Sequence, residues 1–392
     1  QESIYFMRAS KPIYLDYQAT TPVSQRVIEF MRSYYDEHYG NPHSHHHSMG
    51  WESNAAVDIA RNLIAHSINA DPAEIFFTSG ATESNNLALI GLANGSKDRK
   101  KIMVSSIEHK CILASARYLE DQGFEIVYIP VDECGFVDLN FIEDQIDKST
   151  LMVSVMHVNN EIGTIQPIQK IGELCKKNGV IFHTDAAQSL ATASIDIDES
   201  QIDMMSLSAH KVYGPKGIGA LYIRKGIEQN IQPIIWGGGQ EGGIRSGTLP
   251  TPLCAGFGLA IDIMQSEREE LVSHTSELRY LFFEKLTEQR KDISLVGPDL
   301  GYKRHFGNLS ISFYGYDAED LISVMQPKLS VSTGSACTSG IPEPSHVLTA
   351  IGLSEEVSKS VIRFGFGKYS DWDETRMAIN IIISALEKID SR

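Results

Sequence analysis

Short apolar runs alternate with helix-like segments between about residues 55 and 225 of this chain. Strands that alternate with helices form βαβ units, which build a mostly parallel sheet. The runs are apolar almost throughout, as is typical of strands that helices cover on both faces. The chain is therefore predicted to contain a large α/β domain. The runs are AEIFFTSG, KIMVSS, FEIVYIP, LMVSVMHV, VIFHTD, DMMSLS and GIGALYIR.

The pattern changes after WGGGQEGGIRSGTLPTP, where a long helix is predicted from about Leu253 to Gln289. Three short runs of alternating apolar and polar residues follow. A last helix is predicted to open at Ser370, with Asp373 completing a capping box. These elements indicate a smaller α+β domain. The predicted parts are an N-terminal segment of residues 1–20, a large domain of residues 21–263 and a small domain of residues 264–392.

The charge and cysteine content of the chain narrow the class of protein. The 392 residues carry 34 basic and 50 acidic side chains, a net charge of -16, which favours a soluble protein and argues against direct binding to nucleic acid or anionic lipid. No apolar stretch is long enough to span a membrane, and no signal peptide is visible. The odd, low count of 5 cysteines fits free thiols in a reducing compartment, which we expect to be the cytoplasm. Residues 1–6 precede Met7, and we expect them to come from cloning.

Polar residues follow the predicted strands at the point where each strand ends. In an open parallel sheet, ligands bind outside the carboxyl ends of the strands. One such cluster is most simply an ordinary loop, but five of them at successive strand ends predict a binding site. The clusters are Thr78-Ser79-Gly80, Glu108-His109-Lys110, Asn159-Asn160-Glu161, Asp185 with Gln188, and Ser208 with His210-Lys211.

Two of these strand ends carry a carboxylate and a lysine. Asp185 ends one predicted strand and Lys211 follows the next, while FFTSGATESNN places glycine and threonine at a strand-to-helix turn where an anion can bind. This set is what pyridoxal 5'-phosphate requires, because a lysine bonds to the cofactor and an acid keeps its ring nitrogen protonated. The alternatives are a surface lysine, a capping aspartate and an ordinary N-cap at Thr82.

Two other motifs are set aside. GGGQEG, residues 237–242, fits the dinucleotide-binding pattern, but Pro250 and Pro252 follow where that pattern needs a helix. HSHHHS, residues 43–48, lacks the companion Cys or Asp spacing of a metal site, so we expect a solvated or ring-covering loop and no metal.

Cys337 differs from the other four cysteines. It lies in TGSACTSG, among Gly, Ser, Ala and Thr, where no apolar side chain can enclose it. A free cysteine usually behaves as a small buried hydrophobe. The others have ordinary explanations as helix or turn residues; they are Cys111, Cys134, Cys175 and Cys254.

The chain resembles the cysteine desulfurases, pyridoxal-phosphate enzymes of the class V aminotransferase group, in the sublineage with a longer active-cysteine loop. The resemblance implies the fold-type I α/β architecture and a homodimer. The matching blocks, in chain order, are IYLDYQATTP, YGNPHSHHHSMGW, FTSGATESNNLA, EHK, MHVNNEIGTIQPI, HTDAAQ, SAHKVYGPKGIGALY, GGGQEGGIRSGT, GSACTSG, EPSHVL and IRFGFG.

Carried over residue by residue, the resemblance implies these roles. Lys211 is the Schiff-base lysine, His109 stacks on the cofactor ring as an acid/base, and Cys337 is the nucleophile. Asn159 and Arg363 bind the substrate carboxylate. The implied cofactor-binding set is Ala81, Thr82, His109, Asp185, Gln188, Ser208, His210, Lys211 and, from a second subunit, Thr248.

The implied reaction converts L-cysteine to L-alanine and leaves the sulfur on Cys337 as a persulfide for a sulfur-acceptor protein. Cys337 must then reach the cofactor and afterwards an acceptor, so we expect weak order around residues 334–342 or a sulfur far from Lys211. Cys337 must be a thiolate to attack the sulfur of the substrate. The alternatives are a selenocysteine lyase and a non-catalytic assembly protein with the same fold.

Three departures from the family pattern bear on partners. Gly242 stands where arginine is usual, and Gly365 stands where serine is usual, which we expect to loosen the surroundings of Arg363. The chain ends soon after its last helix, whereas relatives that feed iron-sulfur scaffolds carry a further tail. We therefore expect a dedicated pathway, such as DNA phosphorothioation or tRNA thiolation, more than iron-sulfur cluster assembly.

Overall fold

The structure is a computed structural model in which residues 11–333 and 345–391 are described. Cys337 and the expected weak order around residues 334–342 therefore lie outside the described residues. The strands are β1 Ile13–Tyr14, β2 Ile75–Thr78, β3 Lys101–Ser105, β4 Glu125–Ile129, β5 Thr150–Ser154, β6 Ile181–Asp185, β7 Met204–Ser208, β8 Gly219–Ile223, β9 Ile293–Leu295, β10 Asn308–Phe313, β11 Leu329–Ser330 and β12 Val361–Gly365.

The helices follow the strands as the apolar pattern predicted. A π-helical turn, Leu87–Gly91, joins α3 to α4, so that one continuous helix leads away from β2. The helices are α1 Gln25–Asp36, α2 Ser48–Ser67, α3 Ala81–Asn86, α4 Leu92–Gly95, α5 Lys110–Asp121, α6 Leu139–Gln145, α7 Ile168–Asn178, α8 Thr251–Gln289, α9 Ala318–Met325, α10 His346–Ala350, α11 Glu355–Lys359 and α12 Trp372–Asp390.

The chain forms two compact units. The large unit contains residues 20–159 and 164–269, and the small unit contains the described residues of 1–19, 160–163 and 270–392. The N-terminal strand β1 belongs to the small unit because it pairs in parallel with β11. No helix in the described ranges combines the length and the hydropathy that crossing a bilayer requires.

The large unit is built on a seven-stranded sheet in the order β2-β8-β7-β6-β5-β3-β4. Only β8 runs antiparallel to its neighbours, β2 and β7. The carboxyl ends of β2, β3, β5, β6 and β7 therefore lie at the same edge of the sheet. The sheet's apolar side chains pack against α3 to α5 in a core that includes Leu87, Val104, Met152, Met204 and Leu221. The predicted mostly parallel sheet is confirmed.

The small unit contains a three-stranded antiparallel sheet in the order β12-β10-β9. Its core is rich in aromatic residues, and the ring of Phe282 on α8 lies 4.9 Å from that of Phe364 on β12, measured between centroids. The last helix begins at Trp372, and its N-cap is Asp371, whose side chain accepts from the Glu374 N–H at 2.7 Å. The predicted cap at Ser370 was wrong: its hydroxyl instead accepts from the Gly367 N–H at 3.1 Å.

Candidate active site

The turn from β2 into α3 forms a cradle at the start of a helix, where the first backbone N–H groups have no partner within the helix and no side chain caps them. Two N–H groups before the helix are already bonded, that of Ser79 to Glu83 at 2.7 Å and that of Gly80 to the Thr78 hydroxyl at 3.4 Å. Gly80, the residue before the helix, has φ of +150°, a conformation that favours glycine. The Thr78 hydroxyl fixes the turn by hydrogen bonding to Ser84 Oγ at 2.7 Å. Gly219 on β8 must also be glycine, because a Cβ there would lie 2.6 Å from Gly80 Cα. Free N–H groups at the start of a helix bind phosphate well.

Asp185 ends β6 with both carboxylate oxygens hydrogen-bonded. Its side chain is buried, and Oδ1 accepts from the Ala187 N–H at 2.9 Å. Oδ2 accepts from the amide Nδ2 of Asn85 on α3 at 2.7 Å. These bonds hold the Asp185 carboxylate in one orientation at the same sheet edge as the cradle. A carboxylate in this position can accept a hydrogen bond from the protonated ring nitrogen of a pyridoxal cofactor.

His109 is the N-cap of α5, and its exposed ring lies against Cys111. The backbone N–H of Cys111 donates to His109 Nδ1 at 3.3 Å, and Cys111 Sγ lies 3.0 Å from the same nitrogen. Asn85 Nδ2 donates to the same sulfur at 3.2 Å. Burial, and then the charge of Asp185, raises the pKa of the Cys111 thiol to about 12. Cys111 is thus an uncharged thiol between two polar groups of the site.

Glu108 precedes His109 and is fully buried. Its Oε1 accepts from the backbone N–H of Met156 at 2.6 Å, which ties the end of β3 to the segment after β5. Burial raises the pKa of Glu108 well above its usual value, and the nearby charge of Asp185 acts in the same direction. The carboxyl group is therefore a structural anchor next to His109 in the chain, and its burial favours the protonated form.

Lys211 lies in the turn Ala209–Lys211 that follows β7, the neighbour of β6 in the sheet. Thr21 fixes this turn on both sides, because its hydroxyl donates to the His210 carbonyl and accepts from the Tyr213 N–H, each at 2.9 Å. Tyr213 has a positive φ of 61°, which is rare for a bulky residue and stores strain beside the lysine.

His210 and Ser208 flank the lysine at the same turn. Ser208 is buried at the end of β7, and His210 Nδ1 lies 3.0 Å from the hydroxyl of Thr20. Burial, followed by the charges of Lys211 and Lys216, lowers the pKa of His210 to about 4. His210 is therefore neutral near pH 7.

Two ion pairs anchor the loop that leads to Thr248. Glu241 accepts two hydrogen bonds from Arg61 at 2.7 and 2.9 Å and one from the Phe77 N–H at 2.6 Å. Arg245 Nε donates to Glu83 Oε1 on α3 at 2.7 Å. Burial opposes ionisation of Glu83, but hydrogen bonds from Arg245 and Ser79 outweigh it and lower the pKa of Glu83. The loop is thus attached both to β2 and to the cradle helix.

Arg363, on β12 of the small unit, is buried with a partly satisfied guanidinium group. Nη2 donates to Asp16 Oδ1 at 2.7 Å and to Ser332 Oγ at 3.1 Å, and Nη1 donates to the Asn160 carbonyl at 3.1 Å. Nε has no hydrogen-bond partner among the described residues. A buried donor without a partner costs free energy, and a substrate carboxylate would satisfy it.

The expected loosening around Arg363 was wrong. A Cβ at Gly365 would lie 2.1 Å from Gln18 Oε1 and 2.7 Å from the Tyr17 nitrogen. Gly365 N–H also donates to the Leu15 carbonyl at 2.8 Å. The absence of a side chain at residue 365 therefore lets the segment after β1 pack directly on β12.

Comparison with known proteins identifies the family of this chain. The family model described as aminotransferase class-V matches residues 13–376. The chain belongs to the class-V aminotransferase family. A cysteine desulfurase IscS of Rickettsia typhi (strain ATCC VR-144 / Wilmington) is 48% identical over 380 residues, which cover 96% of this chain and 92% of the relative. The corresponding protein of Rickettsia rickettsii (strain Iowa) is 47% identical over 379 residues, with the same coverage.

Solved structures of class-V aminotransferase relatives have the same fold. A NifS-like protein superimposes with a TM-score of 0.89 at 36% identity, covering 96% of this chain and 99% of that one. A structure titled SspA in complex with cysteine gives a TM-score of 0.79 at 38% identity, with 91% and 99% coverage. The predicted family, the fold-type I class and the dependence on pyridoxal 5'-phosphate are confirmed.

This class-V aminotransferase places most of the predicted site residues at one edge of the large unit's sheet. These residues lie at the carboxyl ends of its strands or in the segments that follow them; they are Ala81, Thr82, His109, Asn159, Asp185, Gln188, Ser208, His210 and Lys211. Arg363 belongs to the small unit, and Thr248 is exposed. No group of three or more histidine, cysteine or acidic side chains is placed to hold a metal ion among the described residues. In the His-rich segment, His47 Nδ1 caps α2 by accepting from the Gly50 N–H.

Sequence reasoning missed two residues of the site and the role of a third. Asn85 and Cys111 carry no motif of their own, because their roles depend on contacts with Asp185 and His109. Glu108 was expected at this edge of the sheet, but its hydrogen bond with Met156 was not. The periodic apolar pattern offers one signal: Asn85 is a fully buried amide on the core-facing side of α3, where an apolar residue is usual.

The described residues fit pyridoxal 5'-phosphate. Gly80 faces open space at the start of α3, since no atom lies within 4 Å of the position that a Cβ would take there, and this leaves room for a phosphate group. The Oδ1 atom of Asn85 is a buried acceptor without a hydrogen-bond partner among the described residues. Asp185 and Lys211 supply the acid and the amine from neighbouring strands.

Proposed function

We propose that this cysteine desulfurase holds its cofactor at the carboxyl edge of the large unit's sheet and bonds it to Lys211. The observation that carries the assignment is the buried Asp185 carboxylate, fixed by Asn85 and Ala187 on the strand beside the one that leads to Lys211. The cradle before α3, with Ala81 and Thr82, would hold the phosphate together with Ser208 and His210. Gln188 would contact the ring hydroxyl.

The proposed reaction takes sulfur from L-cysteine. When bound, pyridoxal 5'-phosphate supplies an electron sink for the bond broken at the substrate Cα. Lys211 would remove the Cα proton, and His109 would take the proton of the substrate thiol. Arg363 and Asn159 would bind the substrate carboxylate, and the Arg363 Nε, which has no hydrogen-bond partner within residues 11–333 and 345–391, supports this role.

Cys337 is the proposed nucleophile. Its thiolate forms an S–S bond with the substrate sulfur while the substrate C–S bond breaks. The released electron pair stays on the carbon skeleton, which is protonated to give L-alanine. The persulfide then passes its outer sulfur to an acceptor protein. The proposed pathways are DNA phosphorothioation, tRNA thiolation and iron-sulfur cluster assembly.

A homodimer completes this proposal. Large apolar side chains are exposed on α2 and on the loop before Thr248, with Trp51 at 58%, Ile59 at 60% and Trp236 at 76% of full exposure. Exposed apolar residues of this size are typical of an interface. Thr248, exposed on the loop that Glu241 and Arg245 anchor, would reach the phosphate of the second subunit.

The four described cysteines are free, which supports the proposed cytoplasmic location.

The test uses the purified protein with pyridoxal 5'-phosphate and L-cysteine. The wild type should be yellow and should form equal amounts of L-alanine and releasable sulfur. Lys211→Ala should lose both, while Lys216→Ala, a matched change at an exposed lysine, should keep both. Cys337→Ser should bind cofactor and substrate but transfer no sulfur. A wild type that binds no cofactor, or a Cys337→Ser variant with full desulfuration, would contradict the assignment.

A further inference from the structure

A continuous chain of hydrogen bonds joins Asp185 to His109. Asn85 Nδ2 donates to Asp185 Oδ2 at 2.7 Å and to Cys111 Sγ at 3.2 Å. The same sulfur lies 3.0 Å from His109 Nδ1. Cys111 is thus the link between the carboxylate proposed for the ring nitrogen and the imidazole proposed to stack on the ring.

The geometry determines the tautomer of His109. A backbone N–H can only donate, and that of Cys111 points at Nδ1 from 3.3 Å. Nδ1 must therefore be an acceptor without a proton of its own, so the neutral ring carries its proton on Nε2. In a neutral histidine, the hydrogen bond made by one ring nitrogen determines which of the two nitrogens carries the proton.

The thiol completes this arrangement. Asn85 and the Thr82 hydroxyl both hydrogen-bond to the sulfur as donors, which leaves the thiol proton to be donated to His109 Nδ1. Burial and the Asp185 charge raise the pKa of Cys111 to about 12, so the thiol keeps its proton near pH 7. A thiol in this state is a poor nucleophile and a poor sulfur acceptor, in contrast to the role proposed for Cys337.

We propose that Cys111 is a positioning residue for the desulfurase reaction, which connects Asn85 to His109 Nδ1 and holds the imidazole proton on Nε2. The inference rests on the proposed function of Asp185 and His109. If Cys111 has this role, neutral His109 presents a donor, Nε2–H. The imidazole also gains a second proton less readily than it would without the thiol. Cys111 acts through His109 and takes no sulfur itself.

The experiment compares Cys111→Ala, Cys111→Ser and the wild type, each loaded with pyridoxal 5'-phosphate and labelled with ¹⁵N-histidine. The resonances of the His109 ring are assigned with His109→Gln. In Cys111→Ala the titration midpoint of the ring should rise by about 0.4 to 1 pH unit, the effect of one ordinary hydrogen bond. Cys111→Ser, which keeps a donor and an acceptor, should restore most of the shift. Alanine favours helix, so α5 should still form.

Kinetics provide the second measurement. Cys111→Ala should lower kcat about three- to tenfold and leave KM for L-cysteine within about twofold, because the lost contact serves the chemical step. Cys134→Ala is the matched control, since Cys134 is a partly exposed cysteine in the turn after β4. It should match the wild type in both measurements.

The possible results separate the two proposals. A His109 midpoint that is unchanged in Cys111→Ala overturns the positioning role, and so does an added sulfur atom on the Cys111 peptide after turnover. A wild type that makes no alanine from L-cysteine overturns the proposed function instead, while the ¹⁵N spectra still report whether the thiol holds the ring.

Discussion

Gly219 offers a severe test of the cradle geometry, because it lies between two strands of the site. It pairs with Thr78 on β2 and with Ser208 on β7, the residues that precede the cradle and the lysine turn. A Cβ at this position would lie 2.5 Å from the Leu207 carbonyl oxygen and 2.6 Å from Gly80 Cα. Both are backbone atoms, so no side chain can swing away to make room.

The size of the effect of Gly219→Ala follows from these distances. An ordinary contact begins at 3.4 Å, so Gly80 must retreat by about 0.8 Å (3.4 minus 2.6 Å). Overpacking of this kind costs about 1–3 kcal/mol. For a unit of this size the melting temperature should fall by about 2–10 °C. The shifted cradle should also bind pyridoxal 5'-phosphate at least about tenfold more weakly.

The assay is thermal unfolding with and without pyridoxal 5'-phosphate, together with a titration of the cofactor followed by its visible absorption. Gly301→Ala is the matched control, because no atom lies within 4 Å of its added Cβ. Both variants remove one glycine from the unfolded chain, so that contribution cancels in the comparison. If Gly219→Ala has the same cofactor affinity and melting temperature as the wild type, the described close contact between β8 and the cradle is refuted.

Three other changes probe the site. Glu108→Gln should remove a loss of stability that grows with pH. A carboxyl with a raised pKa binds its proton more tightly when folded, so wild-type stability falls as pH rises from the ordinary carboxyl pKa through the raised folded-state pKa. Melting temperatures measured from about pH 4 to 9 should therefore fall less with pH in the variant than in the wild type. Arg245→Met should weaken cofactor binding about tenfold, because it leaves Glu83 without the arginine that donates to it. In an equilibrium titration, the double variant with Glu83→Gln should recover part of this loss of affinity. Gly365→Ser should raise KM for L-cysteine about tenfold with unchanged cofactor affinity, since the added atoms collide with Gln18. The same KM in the variant and the wild type would contradict the described packing of Gln18 against Gly365.

The large unit could be predicted from sequence because its signals are local. The apolar runs gave the strands of the sheet, and the polar residues after them marked its binding edge. The long helix predicted from Leu253 to Gln289 is α8, Thr251–Gln289, and is confirmed. Each of these signals spans only the residues of one strand or helix and the turn that follows it.

Other features depend on contacts between distant residues and have no local signal. Arg61 meets Glu241 across 180 residues of sequence, and Arg245 meets Glu83 across 162. The pairing of β1 with β11 is equally remote, so the sequence left open which unit the N-terminal strand joins. Cys111 is a further case, since only the arrangement of α3 and α5 places its thiol between Asn85 and His109.

Peptide mapping tests the central claim most directly. The holoenzyme is reduced with borohydride, which fixes the cofactor on its lysine, and a second sample is treated with L-cysteine and alkylated to preserve any persulfide. The cofactor should be found on the peptide that contains Lys211, and one extra sulfur atom on the peptide that contains Cys337. Cofactor on another lysine, or the extra sulfur on Cys111 with none on Cys337, would contradict this account.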